Sequence, residues 1–194
     1  AFARMLGMGW NLGNQFDATG GNGLDSETSW GNPKATQATF DKLKSYGFKS
    51  VRIPVTWQKH MGEAPDYKVD EAWMERVYEV VGYARKAGLF VILNMHHDDS
   101  SKGGWFSLLK AVAGEDFKNA MKAQYTALWK QIAERFKNED DYLILEAFNE
   151  PHAGDNWASD DVRYHNLLND ILQLFVDTVR ESGGNNATRW LGIP

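Results

Sequence analysis

The sequence predicts an α/β fold of parallel βαβ units, on three observations. Apolar extended runs recur at LGMGWNLG, KSVRIPVTW, GLFVILNMH, DYLILEAFN and RWLGIP, at intervals of about 40 to 50 residues. Between them lie four stretches whose apolar residues repeat at helical spacing. The extended runs are themselves largely apolar, as strands covered on both faces must be.

Taken in order, each helix has a chemical reason to start or stop. Residues 36–46 read as a short helix with Phe40, Leu43 and Tyr46 on one side, ended by Gly47 in the C′ position. Asp70 can cap the next, whose Trp73, Val77, Val80, Val81 and Ala84 form an apolar stripe until Gly88. Asp116 to Lys137 carries Phe117, Met121, Tyr125, Leu128, Ile132 and Phe136 at the same spacing, and Val162 to Arg180 repeats it with Leu167, Leu168, Ile171, Leu174, Phe175 and Val179. The following SGGNN reads as a turn. No repeat, low-complexity tract or linker divides the chain. Two layouts fit: a complete open sheet, or part of a closed barrel. The first βα connection has no dinucleotide or phosphate glycine fingerprint, which counts against the open doubly wound form. A (β/α)8 barrel takes roughly 250 residues, and five strands account for only part of one.

Composition narrows the partners. The 194 residues are 43% hydrophobic, enough for a sizeable core. A net charge of -5 with no run of Lys and Arg argues against nucleic acid or an anionic membrane and favours a neutral substrate. The absence of cysteine excludes thiol catalysis, disulfides and cysteine zinc sites. No segment approaches the roughly 20 apolar residues of a membrane span. The opening AFARMLGMGWN lacks the charged and apolar regions of a signal peptide.

In parallel α/β folds, chemistry collects in the loops after the strands' C-terminal ends. Here Asn11 and Asn14 follow the first strand and Arg52 lies in the second, with Trp57 and His60 beyond it. His96, His97, Asp98 and Asp99 end the third, and Asn149 and Glu150 end the fourth. Glu150 is the candidate catalytic carboxyl; Pro151 should bias it toward an extended backbone and so restrain its direction, and Asn149 beside it suits sugar hydroxyls. Arg52, set among Val51, Ile53 and Val55, needs a carboxylate partner. It either forms an interior ion pair with Glu146 or keeps a catalytic carboxylate ionised and oriented. His96 and His97 point to opposite faces if the strand persists, so a shared metal ion is not expected. Trp73 and Trp129 read as core, whereas Trp30, Trp57, Trp105 and Trp157 sit near strand ends, where an indole can pack against a pyranose ring or simply fill a loop. Glu146 cannot be the second carboxylate of a hydrolase pair. Four residues along a strand span roughly 13 Å, beyond the roughly 5 to 5.5 Å of a retaining pair and the roughly 6.5 to 9.5 Å of an inverting one. Asp98 or Asp99 could approach Glu150, but nothing in the sequence fixes either one.

GWNLGN, SWGNPKAT, RIPVTW, GEAPDYKVDEAW, VILNMHH and LILEAFNEP, in this order and spacing, resemble glycoside hydrolase family five, in particular its bacterial endoglucanases. The resemblance runs over essentially the whole chain. It implies a (β/α)8 barrel that cleaves β-1,4-linked glucans with retention, without metal or organic cofactor. Residues 1–194 would be the N-terminal portion of a single catalytic domain, covering about strands 1 to 5. Matched residue by residue, Glu150 corresponds to the general acid/base, Asn149 to the contact with the sugar 2-hydroxyl, Arg52 to the arginine beside the nucleophile and His96 to the active-site histidine. His97, Asn14, Trp30 and Trp105 are further candidates for substrate contact. The resemblance places the nucleophilic glutamate in a C-terminal segment of the same barrel. A chain of these five strands alone is then expected to be inactive and to associate through its open edges. The β-glucan substrate implies a secreted protein. Xyloglucan or mixed-linkage glucan remain alternative substrates, and a noncatalytic carbohydrate-binding half-barrel is the rival from another class.

Overall fold

A computed structural model of the chain describes residues 2–152 and 160–194. The elements run α1 (Phe2–Leu6), β1 (Gly9–Asn11), α2 (Gln37–Ser45), β2 (Ser50–Ile53), α3 (Glu71–Lys86) and β3 (Phe90–Asn94). They continue with α4 (Leu108–Ala113), α5 (Glu115–Phe136), β4 (Leu143–Glu146), α6 (Val162–Glu181) and β5 (Leu191–Gly192). The five strands form one parallel sheet in the order β1-β2-β3-β4-β5. That order decides between the two layouts. A doubly wound sheet reverses direction at a switch point, whereas strands added one after another in sequence are the winding of a barrel.

The helix signals act where the sequence placed them. Asp70 accepts the Trp73 N–H at 2.8 Å and starts α3. Gly47 and Gly88 take φ of +89° and +73°, the left-handed conformation that ends α2 and α3. The sheet face turned to the helices is fully buried, with Val51, Ile53, Val91, Leu93, Leu143 and Leu145 all at 0% exposure. Trp73, Trp129, Tyr125, Phe136 and Phe175 close the layer above it. Arg52, Ile92 and Ile144 stand side by side on the opposite face, and Arg52 and Ile92 are only half-buried. In a closed barrel this face is the interior.

Two short helices, α1 and α4, are not among the four that the sequence periodicity predicts. α1 is too short to show a period; its Phe2 stacks on Trp190 at 4.3 Å and meets Phe90 edge-on at 6.1 Å, covering the N-terminal end of the sheet. α4 is capped by Ser107, whose side chain accepts the Lys110 N–H. Arg189, in the turn before β5, is buried and donates to the carbonyls of Phe136, Glu139, Asp140 and Leu143 and to Asn186 Oδ1. It thereby satisfies the open carbonyl end of α5 and ties it to the start of β4. Among the described residues no helix is long and apolar enough to cross a membrane.

Candidate active site

Parallel pairing does not stop where the regular strands do. Leu12 N–H donates to the Arg52 carbonyl, Thr56 N–H to Phe16, His96 N–H to Val55 and Asn149 N–H to Met95, all at 2.8 to 2.9 Å. These bonds lock the loops after β1 to β4 to one another, so the side chains on them are held by backbone as well as by packing.

Arg52 is the hub. Its Nε donates to Glu146 Oε2 at 2.7 Å, and one terminal nitrogen donates to Glu146 Oε1 at 2.6 Å and to Asn149 Oδ1 at 3.0 Å. The two readings of Arg52 coexist. It is an interior ion pair with Glu146, and the same guanidinium fork holds Asn149 next to Glu150. A planar fork is what makes three such bonds possible at once.

Glu150 corrects one expectation. Its φ is +42°, in the left-handed region, and not the extended conformation expected before Pro151. The cause lies upstream. Ala147 N–H bonds to Gly192 on one side and Asn149 N–H to Met95 on the other, so the chain keeps its ladder through Asn149 and turns immediately afterwards, at Glu150. The side chain is exposed and lines a cleft of about 250 Å³ with Asn149, Pro151, Asp99, Phe106 and Leu108. A non-glycine residue held at positive φ is a costly conformation, of a kind that clusters at functional sites.

Neither neighbouring aspartate is free for a hydrolytic pair. Asp98 is fully buried and accepts the Trp57 N–H with both oxygens at 3.1 Å and the Trp105 indole N–H at 3.2 Å. Burial pushes its carboxyl up to about 7 despite these donors, with Asp99 adding to the rise. Asp99 shares the cleft with Glu150 but caps the one-turn helix at Ser100–Lys102 by accepting the Ser101 N–H.

The histidines also differ from expectation. β3 ends at Asn94, so strand alternation no longer separates His96 from His97. Their rings meet edge-on at 4.5 Å, and ligand atoms of both lie within 4.8 Å of each other and of Asp17. His96 is kept neutral: burial first, then His97 and the Arg52 charge, lower it to about 3. Trp30, exposed, faces His97 at 5.9 Å between ring centroids, which continues the row from the Arg52 hub toward the loop after β1. Asn14 is exposed in the same loop at φ +61°, with its carbonyl accepting from Asn32. Trp105 is half-buried, held by Asp98.

Two strand-end residues are structural. Trp57 is fully buried and donates its indole N–H to the Asn94 carbonyl. His60 is buried flat against Trp73 at 3.7 Å, and burial lowers it to about 4. Trp157 lies outside the described residues. Sequence reasoning missed Asn94, Asp17 and the ion pair of Glu27 with Arg76. Glu27 and Arg76 join through two 2.9 Å bonds and anchor the loop that carries Trp30 to α3. A signal was available: Arg76 falls on the apolar stripe of α3 and Asn94 in an apolar strand, and both demand buried partners.

Comparison with known proteins matches this arrangement to one family. The model of the cellulase family, glycosyl hydrolase family 5, matches residues 13–193. Endoglucanase B of Clostridium cellulovorans is 44% identical over 190 residues, covering 96% of this chain and 40% of the relative. A broad-specificity endoglucanase structure from Bacteroides salanitronis is 52% identical with a TM-score of 0.92, covering 97% of this chain and 51% of that one. A family 5 xyloglucanase from Paenibacillus pabuli, 44% identical with a TM-score of 0.91, is covered to 53% by the whole of this chain. The chain thus spans about half or less of the length of these relatives, and its five strands correspond to part of their (β/α)8 barrel. With the family model matching nearly its full length, the chain belongs to the cellulase family, glycosyl hydrolase family 5.

Proposed function

We propose that these residues supply the acid/base half of a retaining endo-β-1,4-glucanase. The observation that carries this reading is the Arg52 fork, which fixes Asn149 beside a Glu150 held at positive φ over an open cleft. Glu150, protonated, gives its proton to the glycosidic oxygen while a carboxylate on a later strand attacks the anomeric carbon. The leaving sugar departs and a glycosyl-enzyme ester forms. Glu150 then takes a proton from water, which attacks the anomeric carbon and releases the ester. Asn149 contacts the 2-hydroxyl of the sugar under attack, and His96, His97, Asn14, Trp30 and Trp105 line the polymer's path. No cofactor takes part. A polymeric substrate calls for action outside the cell.

The later strands belong to the remainder of the barrel, and without them these five strands bind glucan at most. The half-buried Arg52, Ile92 and Glu146 are the surface that this remainder covers. The likeness to a xyloglucanase favours a second substrate reading, a glucan backbone with branches. The complete protein carrying this chain should be assayed on carboxymethylcellulose, mixed-linkage glucan and xyloglucan, following the first product by proton NMR. A β-anomer released first supports the reading; an α-anomer, or no cleavage of any of the three, refutes it. Rates on the three polymers distinguish the two substrate readings.

A further inference from the structure

Asn94 ends β3 with its side chain fully buried, and every polar atom of that side chain is engaged. Its Oδ1 accepts the Val55 N–H at 3.3 Å. Its Nδ2 lies 3.4 Å from Glu146 Oε1 and 3.2 Å from His96 Nδ1. The orientation of the amide is therefore determined by two independent partners. Turned over, it would set Nδ2 against the Val55 N–H and Oδ1 against the Glu146 carboxylate, donor on donor and acceptor on acceptor. With Nδ2 facing it, His96 Nδ1 can only accept. A neutral imidazole that accepts at Nδ1 carries its proton on Nε2.

We propose that Asn94 is a positioning residue that holds His96 as the Nε2–H tautomer, so that this histidine offers the cleft a fixed proton donor and does not serve as a base. The groups set around His96 agree with it. His97 and Arg52 disfavour a second proton on the ring, and Glu146 is already taken up by the Arg52 fork. Asn94 also joins the loop after β2 to β3 and β4 at one point, because its carbonyl accepts the Trp57 indole while its amide reaches Glu146. A shift in Asn94 would thus reach both His96 and the Arg52 fork.

The role of this donor in catalysis rests on the endoglucanase reading, but the tautomer does not, and the test separates them. The complete protein is labelled with 15N-histidine, and long-range proton–nitrogen correlation spectra are recorded between pH 5 and 8, with His96 assigned by its loss in His96→Asn. The expected wild-type pattern is a neutral ring protonated at Nε2 throughout. In Asn94→Asp, a carboxylate oxygen replaces the donor at Nδ1, so the ring should switch to the Nδ1–H form or gain a second proton. A wild-type ring protonated at Nδ1, or a pattern unchanged by Asn94→Asp, overturns the proposal. The wild-type spectrum decides even where the variant does not fold. In activity, Asn94→Asp should lower kcat/KM on a soluble β-glucan up to about tenfold, the loss of one hydrogen bond that orients a site residue. It should also add an ionisation to the pH profile. An altered spectrum with no glucanase activity in the parent would leave the tautomer assignment standing and remove the endoglucanase reading.

Discussion

Removing Arg76 should be among the most damaging single changes in the chain, although it touches neither cleft nor sheet. Its side chain is 8% exposed and that of Glu27 0%. Nε and one terminal nitrogen donate to the two Glu27 oxygens at 2.9 Å each, the same nitrogen donates to the Ala35 carbonyl at 2.7 Å, and Glu79 takes a further bond at the rim. Burial alone would lower the guanidinium's affinity for its proton, but the bonds to Glu27 and Glu79 outweigh that and raise it. Arg76→Met fills much of the same space and leaves Glu27 as a buried charge whose one remaining donor among the described residues is the Ala35 N–H at 2.7 Å. Breaking a buried pair from one side costs about 3 to 5 kcal/mol. Replacing both partners, as Glu27→Leu with Arg76→Met, removes the stranded charge and should cost less than Arg76→Met alone, so the two changes are strongly coupled. The assay is equilibrium urea unfolding of the complete protein and the three variants, compared at unchanged slope. An Arg76→Met variant within about 1 kcal/mol of the parent would refute the ion-pair argument, as would a double variant equal to the sum of the singles. Because the pair anchors the loop bearing Trp30, the stable double variant should bind soluble glucan more weakly.

Further expectations follow from the same geometry. Arg52→Lys keeps the charge but cannot make the fork to Glu146 and the bond to Asn149 together, so kcat/KM on a soluble glucan should fall about 10- to 100-fold, the loss of one charge-assisted hydrogen bond or more; a variant within twofold of the parent would contradict this. Asp98, raised to about 7, favours the folded state while protonated. That contribution is complete below its unfolded value near 4 and is lost as pH rises through 7, about 4 kcal/mol at 1.36 kcal/mol per unit. Urea midpoints measured from pH 4.5 to 8 should show this slope in the parent and not in Asp98→Asn, and parallel profiles would rule it out. Arg189→Leu strands the carbonyls at the end of α5 and should destabilise by about 3 kcal/mol, read from the urea midpoint; an unchanged midpoint would show that those carbonyls find other donors.

Much of the fold was legible because it depends on local periodicity. The stripes of α3, α5 and α6 place Trp73, Tyr125, Leu128, Ile171 and Phe175 in the core, and Asp70, Gly47 and Gly88 punctuate the helices as their chemistry requires. What was not legible depends on contacts between distant residues. Glu27 and Arg76 lie 49 positions apart, and nothing local to Glu27 announces a buried partner. Trp57 and His60 follow a strand as site residues do, yet Asn94 and Trp73 draw them inward. The backbone of Glu150 was misread because Pro151 expresses a local preference, whereas the turn is imposed by ladder bonds to Met95 and Gly192 on the neighbouring strands. The histidine pair lies closer than alternation would place it for a related reason: alternation holds only while a strand lasts, and β3 stops at Asn94.

The assignment of Glu150 is tested by comparing substrates of unequal leaving group in Glu150→Gln of the complete protein. A positioned general acid typically contributes about 10²- to 10⁴-fold. Turnover of a β-glucan, whose leaving sugar needs the proton, should fall by that amount. Formation of the glycosyl-enzyme from an activated aryl cellobioside should fall much less, and azide should restore turnover as a nucleophile that needs no base. A Glu150→Gln protein that hydrolyses glucan at the parent rate would place the acid/base elsewhere and contradict the proposed mechanism.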